Sequence, residues 1–259
     1  GAIASGRLLP VTGGLQGRLD VTGNGVTGAL DLSVVDMVQQ VAANFDIRRA
    51  RFAGPPPIVI AGGKISALVR LDPAGTSVEG NVQLRGMRRG GLRVGRFVAA
   101  AKLVDGAGQV TASLTGQRGR LFDIQAKADV APGRIRVTAG GTLDRRPIRI
   151  VNGGLLTDTG NGWRLSPTTI SYAGGQTQLS GLLGGDATEV QARLNRMPLT
   201  VLDIFNSNLG LAGIATGTVS VVQPRGGVPT GKAELRIRGL SRSGLTLSST
   251  PVDVGVNAL

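Results

Sequence analysis

Short runs in which apolar and polar residues alternate recur along the whole chain. The clearest run covers residues 122–130, where every second residue is apolar and the residues between are Asp123, Gln125, Lys127 and Asp129. Because successive side chains of a β-strand point to opposite faces of the sheet, this run predicts a strand with one apolar and one polar face. A helix would spread the same charges around its circumference, so a strand is favoured.

The same alternation predicts further strands at residues 78–85, 109–115, 134–139, 188–195 and 231–239. These strands recur about every 10–15 residues, which is too short for the crossover helices that parallel strands need. The pattern therefore predicts an all-β fold, an elongated and curled antiparallel sheet that forms a groove. At about 13 residues per strand and turn, the chain gives roughly 20 strands.

The whole chain, residues 1–259, is predicted to form one continuous, repetitive β-groove segment of a longer protein. Both ends fall within strand-like runs, which indicates an interior piece. The run of three prolines at positions 55–57 is interpreted as a loop and not as a domain boundary, because alternation resumes soon after it.

Two segments depart from the alternation and predict short helices. The first lies near residues 33–48, where Ser33 is a candidate N-cap and apolar residues are spaced by three and four positions, at Val34, Val38, Val41 and Phe45. The second lies near residues 198–206, where Pro198 stands at the predicted start and one face carries Leu199, Leu202 and Phe205.

The composition favours thin apolar layers and argues against catalysis. The chain has 42 glycines and only 3% aromatic residues, yet 41% of its residues are hydrophobic. It has neither cysteine nor histidine, which removes disulfides, thiol nucleophiles and the usual zinc ligands. The sixteen acidic residues are scattered singly at turns and on polar strand faces. We therefore predict that the protein is not an enzyme and uses no metal and no cofactor.

One glycine motif, Gly23-Asn24-Gly25-Val26-Thr27-Gly28, matches the G-x-G-x-x-G pattern of dinucleotide-binding loops. With glycine this frequent, roughly one such match is expected by chance. Leu30 and Leu32 also continue the alternation where a phosphate-binding helix should already have begun. The motif is therefore interpreted as a chance match.

The charge indicates a partner that carries phosphate. The formal net charge is +13, and only four of the 29 basic residues are lysines, at positions 64, 102, 127 and 232. Arginine binds phosphate through a planar fork, so phospholipid headgroups and nucleic acid are both candidates, beside a merely solubilising role. Nucleic acid is disfavoured, because proteins that bind single strands interleave aromatic residues with the basic ones.

A long sheet with one apolar face must fold over itself or hold apolar cargo. The residues predicted to line such a lipid groove are Val82, Leu84, Val110, Leu114, Phe122, Ile124, Ala126, Ile135, Val137, Val190, Leu194, Leu235 and Ile237. The same alternation is compatible with a closed β-sandwich that binds nothing, and a secreted β-helix or adhesin stalk is a further alternative.

The most specific stretch of sequence lies between residues 194 and 245. It contains Leu194-Asn195-Arg196-Met197-Pro198-Leu199, then the glycine-punctuated run from Leu209 to Val221, then the proline-led run from Pro229 to Leu240. These motifs resemble those of the TamB translocation-and-assembly family, within the broader AsmA-like group. They cover about a fifth of the chain, and the rest resembles the family only in its general pattern of short alternating runs separated by glycines.

The resemblance implies a β-taco, a curled sheet with an apolar concave face, in the periplasm of a bacterium with two membranes. It implies an inner-membrane anchor outside this chain, phospholipids as cargo between the inner and outer membranes, and an outer-membrane partner of the Omp85 barrel type that is similar to TamA. The same family implies an alternative, in which the sheet edge accepts strands of outer-membrane proteins during their assembly.

Overall fold

A computed structural model describes residues 2–204 and 210–258 of the chain. In this part of the chain, nineteen strands are assigned to one antiparallel sheet, and the remaining regular element is a six-residue 3₁₀ helix. The predicted all-β fold and its antiparallel sheet are therefore confirmed. None of the described residues belongs to a helix that is long and apolar enough to cross a membrane.

The chain divides into two units, of which unit 1 comprises residues 1–117 and 127–132. Its strands are β1 (Ile3–Val11), β2 (Gly14–Gly23), β3 (Val26–Val35), β4 (Val38–Phe52), β5 (Ile58–Asp72), β6 (Gly75–Arg89), β7 (Leu92–Val104) and β8 (Ala107–Arg118), whose last residue is assigned to unit 2. Each of these strands pairs antiparallel with the next one along the chain, so unit 1 is a meander of hairpins.

Unit 2 comprises residues 118–126 and 133–259, so β9 (Arg120–Ala131) contributes to both units. Its other strands are β10 (Arg134–Leu143), β11 (Arg146–Val151), β12 (Gly154–Asp158), β13 (Trp163–Tyr172), β14 (Gly175–Leu183), β15 (Ala187–Pro198), β16 (Leu211–Pro224), β17 (Thr230–Arg242), β18 (Leu245–Thr246) and β19 (Val252–Ala258). β11 and β12 together act as one interrupted strand, because both pair with β10 on one side and β13 on the other.

The strand predictions are confirmed, and the two glycine- and proline-rich motifs fall in turns. The runs at residues 78–85, 109–115, 122–130, 134–139, 188–195 and 231–239 lie in β6, β8, β9, β10, β15 and β17. In the G-x-G-x-x-G motif, Asn24 and Gly25 form the tight turn between β2 and β3, and both have positive φ. The three prolines lie in the loop between β4 and β5, as predicted.

The predicted helix near residues 33–48 is wrong. Residues 26–35 and 38–52 instead form β3 and β4, and Val35 pairs directly with Val38. Asp36 and Met37 have φ values of 52° and 64°, which is the conformation of a type I′ hairpin turn. Two residues of turn between two alternating runs produce apolar spacings of three and four, which imitate a helix.

The turn gives a test of this correction. Met37 is 63% exposed and has a left-handed conformation, which costs a non-glycine residue about 1–2 kcal/mol. Glycine adopts the same conformation without this cost. We expect Met37→Gly to raise the free energy of unfolding in urea by about 0.5–1 kcal/mol. Ser33→Gly, within β3, should lower it by a similar amount. In a helix, both glycines would destabilise the protein.

The second predicted helix, near residues 198–206, is confirmed in position as a 3₁₀ helix at Leu199–Ile204. Pro198 ends β15 and does not begin the helix. Leu199 is buried and Leu202 packs beside it, as the predicted apolar face requires. Phe205 and position 206 lie outside the described residues.

Candidate functional site

The strand registers gather the apolar positions of unit 1 onto one face of the sheet, called here the apolar face. One row of paired residues crosses five strands and consists of Phe45, Ile65, Val82, Ala99 and Ala112. The residues next to these five along their strands form a second row that points to the other face. This row consists of Asn44, Ser66, Asn81, Ala100 and Thr111. The alternation along each strand thus becomes a separation of chemistry between two faces.

A furrow of small residues crosses the apolar face of unit 1. Its floor is the row formed by Ala43, Ala67, Gly80 and Ala101. On one side it is flanked by the row with Phe45, Ile65 and Val82, and on the other by the row with Val41, Val69, Val78 and Leu103. The backbones of the two flanking rows are about 14 Å apart, since they are separated by four residues along each strand. A Cβ added at Gly80 would meet no atom closer than 3.6 Å.

Side chains on the apolar face are half-buried and not enclosed. Ile65, Val82 and Val110 all keep part of their surface open, although they stand in the middle of long strands. In a β-sandwich, a second sheet would pack over this face and bury these side chains, whereas in this structure they keep part of their surface open.

The apolar face of unit 1 is closed at one end by a small core. Ile47, Ala50 and Ile60 are buried there, and Leu84 and Met87 pack against them. Beside this core, four neighbouring strands each have one residue outside the regular pairing, at Arg49, Ala61, Gly86 and Gly95, and the register of β4 to β7 is the same on both sides of these residues. The alternation along each strand shifts by one at these four residues, which keeps Ala50, Ile60, Met87 and Val94 on the apolar face.

Unit 2 carries an apolar face built in the same way. One row contains Ile135, Leu156, Leu165, Gly181, Val190 and Val221, and another contains Thr177, Leu194, Gly217, Leu235 and Val254. Their larger side chains are again half-buried, with the exception of exposed Val221. The polar positions of the same strands, such as Arg193 and Glu234, lie on the opposite face.

The 3₁₀ helix covers one end of the apolar face of unit 2. Leu199 from the helix is buried with Ala215 of β16 and Ile237 of β17. A neighbouring cluster consists of Leu143, Tyr172 and Met197, with Val201 of the helix packed against it. The helix therefore acts as a local plug, and the rows farther along the strands remain open.

An ion-pair network fixes this helix to the sheet. The side chain of Asp203 is 5% exposed, and its Oδ2 accepts a hydrogen bond from Arg120 Nε at 3.0 Å and lies 2.9 Å from Arg120 Nη2. Arg120 Nη1 donates to Asp144 Oδ2 at 2.8 Å. The hydrogen bond to Asp203, together with that to Asp144, raises the pKa of Arg120 above its ordinary value. The backbone N–H of Gly210 donates to Asp203 Oδ1 at 3.2 Å.

The predicted lining residues fall into two sets. Val82, Leu84, Val110 and Leu114 lie on the apolar face of unit 1, and Leu84 and Leu114 flank Phe97 in one row. In unit 2, Phe122, Ile124, Ala126, Ile135, Val137, Val190, Leu194 and Leu235 are half-buried. Ile237 differs from the rest, because it is 6% exposed and lies beneath the helix.

Sequence reasoning missed three large side chains of the apolar face of unit 1, namely Phe45, Ile65 and Phe97. Phe45 was assigned to the predicted helix, and the run around Phe97 is obscured by three consecutive alanines at positions 99–101. The alternation of apolar residues from Val41 through Phe45 to Ile47 was the signal that would have recovered Phe45.

Most arginines of unit 1 lie on its polar face. Arg48, Arg85 and Arg96 belong to one row of that face, opposite the apolar side chains of Ile47, Leu84 and Phe97. Among the described residues, no group of three acidic side chains is arranged to hold a metal ion. Comparisons of the chain with protein-family models, with curated proteins and with solved structures find no match.

Proposed function

We propose that this protein is a segment of a lipid conduit, in which the open apolar face holds the acyl chains of phospholipids in transit between two membranes. The observation that carries the proposal is the half-buried state of the large apolar side chains in the middle of long strands. An apolar surface of this extent is stable in water only when something covers it.

Acyl chains fit this requirement energetically. Each CH₂ group moved out of water gains about 0.8 kcal/mol, so a chain of 16 carbons gains on the order of 13 kcal/mol when it is covered. The furrow along Ala43, Ala67, Gly80 and Ala101 offers a path across four strands that is apolar on both sides. Because the path crosses the strands, its length grows with their number, at about 4.8 Å per strand.

The resemblance to TamB supports a periplasmic location, an inner-membrane anchor outside this chain and an Omp85-type partner. These remain proposals that rest on the motifs between residues 194 and 245. No catalytic step belongs to the proposed function, since a conduit works by continuous burial of its cargo.

A second candidate function is assembly of outer-membrane proteins by strand addition. Within unit 1, β1 pairs with β2 alone, and its large apolar side chains Ile3 and Leu9 are 70% and 50% exposed. A strand edge in this state can accept a further strand through backbone hydrogen bonds.

Photo-crosslinking followed by mass spectrometry separates these functions. A photoreactive residue at Val82 or Val190 reports on the apolar face, and Asn81 and Gln191 are the matched positions on the polar face. We expect phospholipid adducts from Val82 and Val190 alone. Adducts that join these positions only to other residues of this chain would reject the conduit, and adducts to unfolded outer-membrane proteins from β1 would favour strand addition.

A further inference from the structure

Six arginines form a two-dimensional array on the polar face of unit 1, called here the arginine patch. One row places Arg48, Arg85 and Arg96 on β4, β6 and β7, and the adjacent row places Arg51, Arg88 and Arg93 on the same three strands. The two rows share one face because the alternation breaks between them, which keeps Arg51, Arg88 and Arg93 on the polar face while Ala50, Met87 and Val94 stay on the apolar one.

The patch is exposed and its charge is not neutralised. All six arginines are exposed, and among the described residues none of them has a carboxylate within 4 Å. The next row adds Lys64 and one acidic residue, Asp46. Like charges held this close repel one another, so the array is stabilised when anions lie over it.

We propose that the arginine patch docks this protein onto the surface of an anionic phospholipid bilayer. The array is two-dimensional, like the phosphates of a bilayer surface, and each guanidinium can bind a phosphate through two hydrogen bonds. Between the patch and Val98, residues of β4 to β7 line a shallow depression of about 500 Å³ that a headgroup can enter. The proposal goes beyond the carriage of acyl chains and does not depend on it.

Two observations argue against other ligands. The aromatic side chains of these strands, Phe45, Phe52 and Phe97, lie on the apolar face, so the patch has no surface on which nucleic-acid bases could stack. The patch also lies on the opposite side of the sheet from the furrow. A lipid whose tails lie in the furrow therefore cannot reach the patch with its headgroup, and the arginines must meet other phosphates.

Vesicle co-sedimentation of the full chain tests the proposal. Vesicles of 30% phosphatidylglycerol in phosphatidylcholine should bind the protein, and vesicles of phosphatidylcholine alone should not. We expect Arg85→Glu with Arg96→Glu to weaken binding at least about tenfold. The matched pair Arg164→Glu with Arg193→Glu, on exposed positions of unit 2, should change it less than about twofold. Binding should fall as salt is raised.

Three results would overturn the proposal. They are equal binding to both kinds of vesicle, equal loss in the two charge-reversal pairs, and patch-dependent binding of an oligonucleotide or an acidic protein without vesicle binding. If Arg85→Glu with Arg96→Glu fails to fold by circular dichroism, Arg88→Gln with Arg93→Gln replaces it, and the same loss is expected. Lipid adducts at Val82 should persist in these variants, so failure of docking is distinguishable from failure of the conduit.

Discussion

Replacing Leu143 with alanine is expected to lower the free energy of unfolding of unit 2 by about 3 kcal/mol. Leu143 is 1% exposed and is packed with Tyr172 and Met197 beside the 3₁₀ helix. Truncation removes the buried contacts with these neighbours and leaves a cavity in their place.

The fluorescence of Trp163 measures this effect, because it is the only tryptophan of the chain and lies in β13 of unit 2. Urea unfolding followed at this residue should have a lower midpoint in Leu143→Ala. Leu245→Ala is the control, since Leu245 is 74% exposed and its loss should change the free energy by less than about 0.5 kcal/mol. Equal midpoints in the two variants would contradict the assignment of this cluster as part of the core of unit 2.

Filling the furrow is expected to remove most of the bound lipid. Ala67→Leu with Ala101→Leu places two large side chains on the furrow floor. They lie on β5 and β7, on either side of Gly80 in β6. An acyl chain could bind only by displacing these leucines, which would weaken its binding free energy by about 1–3 kcal/mol. The amount of lipid that co-purifies with the protein should therefore fall about tenfold. Quantitative mass spectrometry of extracted lipid measures the change.

The polar face supplies a matched control for this experiment. Ala42 pairs with Leu68, the neighbour of Ala67, and Ala100 immediately precedes Ala101, but both alanines point to the other side of the sheet. Ala42→Leu with Ala100→Leu adds the same volume and should leave the lipid content unchanged. Equal lipid content in the two double variants would contradict a role for the furrow, provided that both variants unfold at the wild-type urea concentration.

The alternation of apolar and polar residues was sufficient to predict the strands, because side-chain direction in a strand depends on position parity alone. It failed at Asp36 and Met37, because Met37 occupies the position where a type I′ turn usually has glycine. The short helix was predictable because Pro198 and the leucines after it break the alternation. Its 3₁₀ geometry, and the ion pair between Asp203 and Arg120, depend on contacts that are distant in sequence.

The arginine patch was hidden from the sequence for a different reason. Arg48-Arg49 and Arg88-Arg89 are charge pairs of the kind found at solvated turns. Their rows become visible only when the pairing of β4 to β7 is known, together with the break in the alternation at Arg49, Ala61, Gly86 and Gly95. Likewise, alternation could not distinguish an open apolar face from a closed sandwich, since both require the same residues.

The hairpin order of unit 1 bears on how the chain folds as it leaves the ribosome or a secretion channel. Paired residues are never far apart in sequence, and the widest separation, between Gln39 and Leu71, is 32 residues. Each strand can therefore pair soon after it emerges, without waiting for a distant segment, which lowers the loop-closure entropy of every step. Folding by successive strand addition leaves one newly made edge open at a time, and the next strand to emerge covers it.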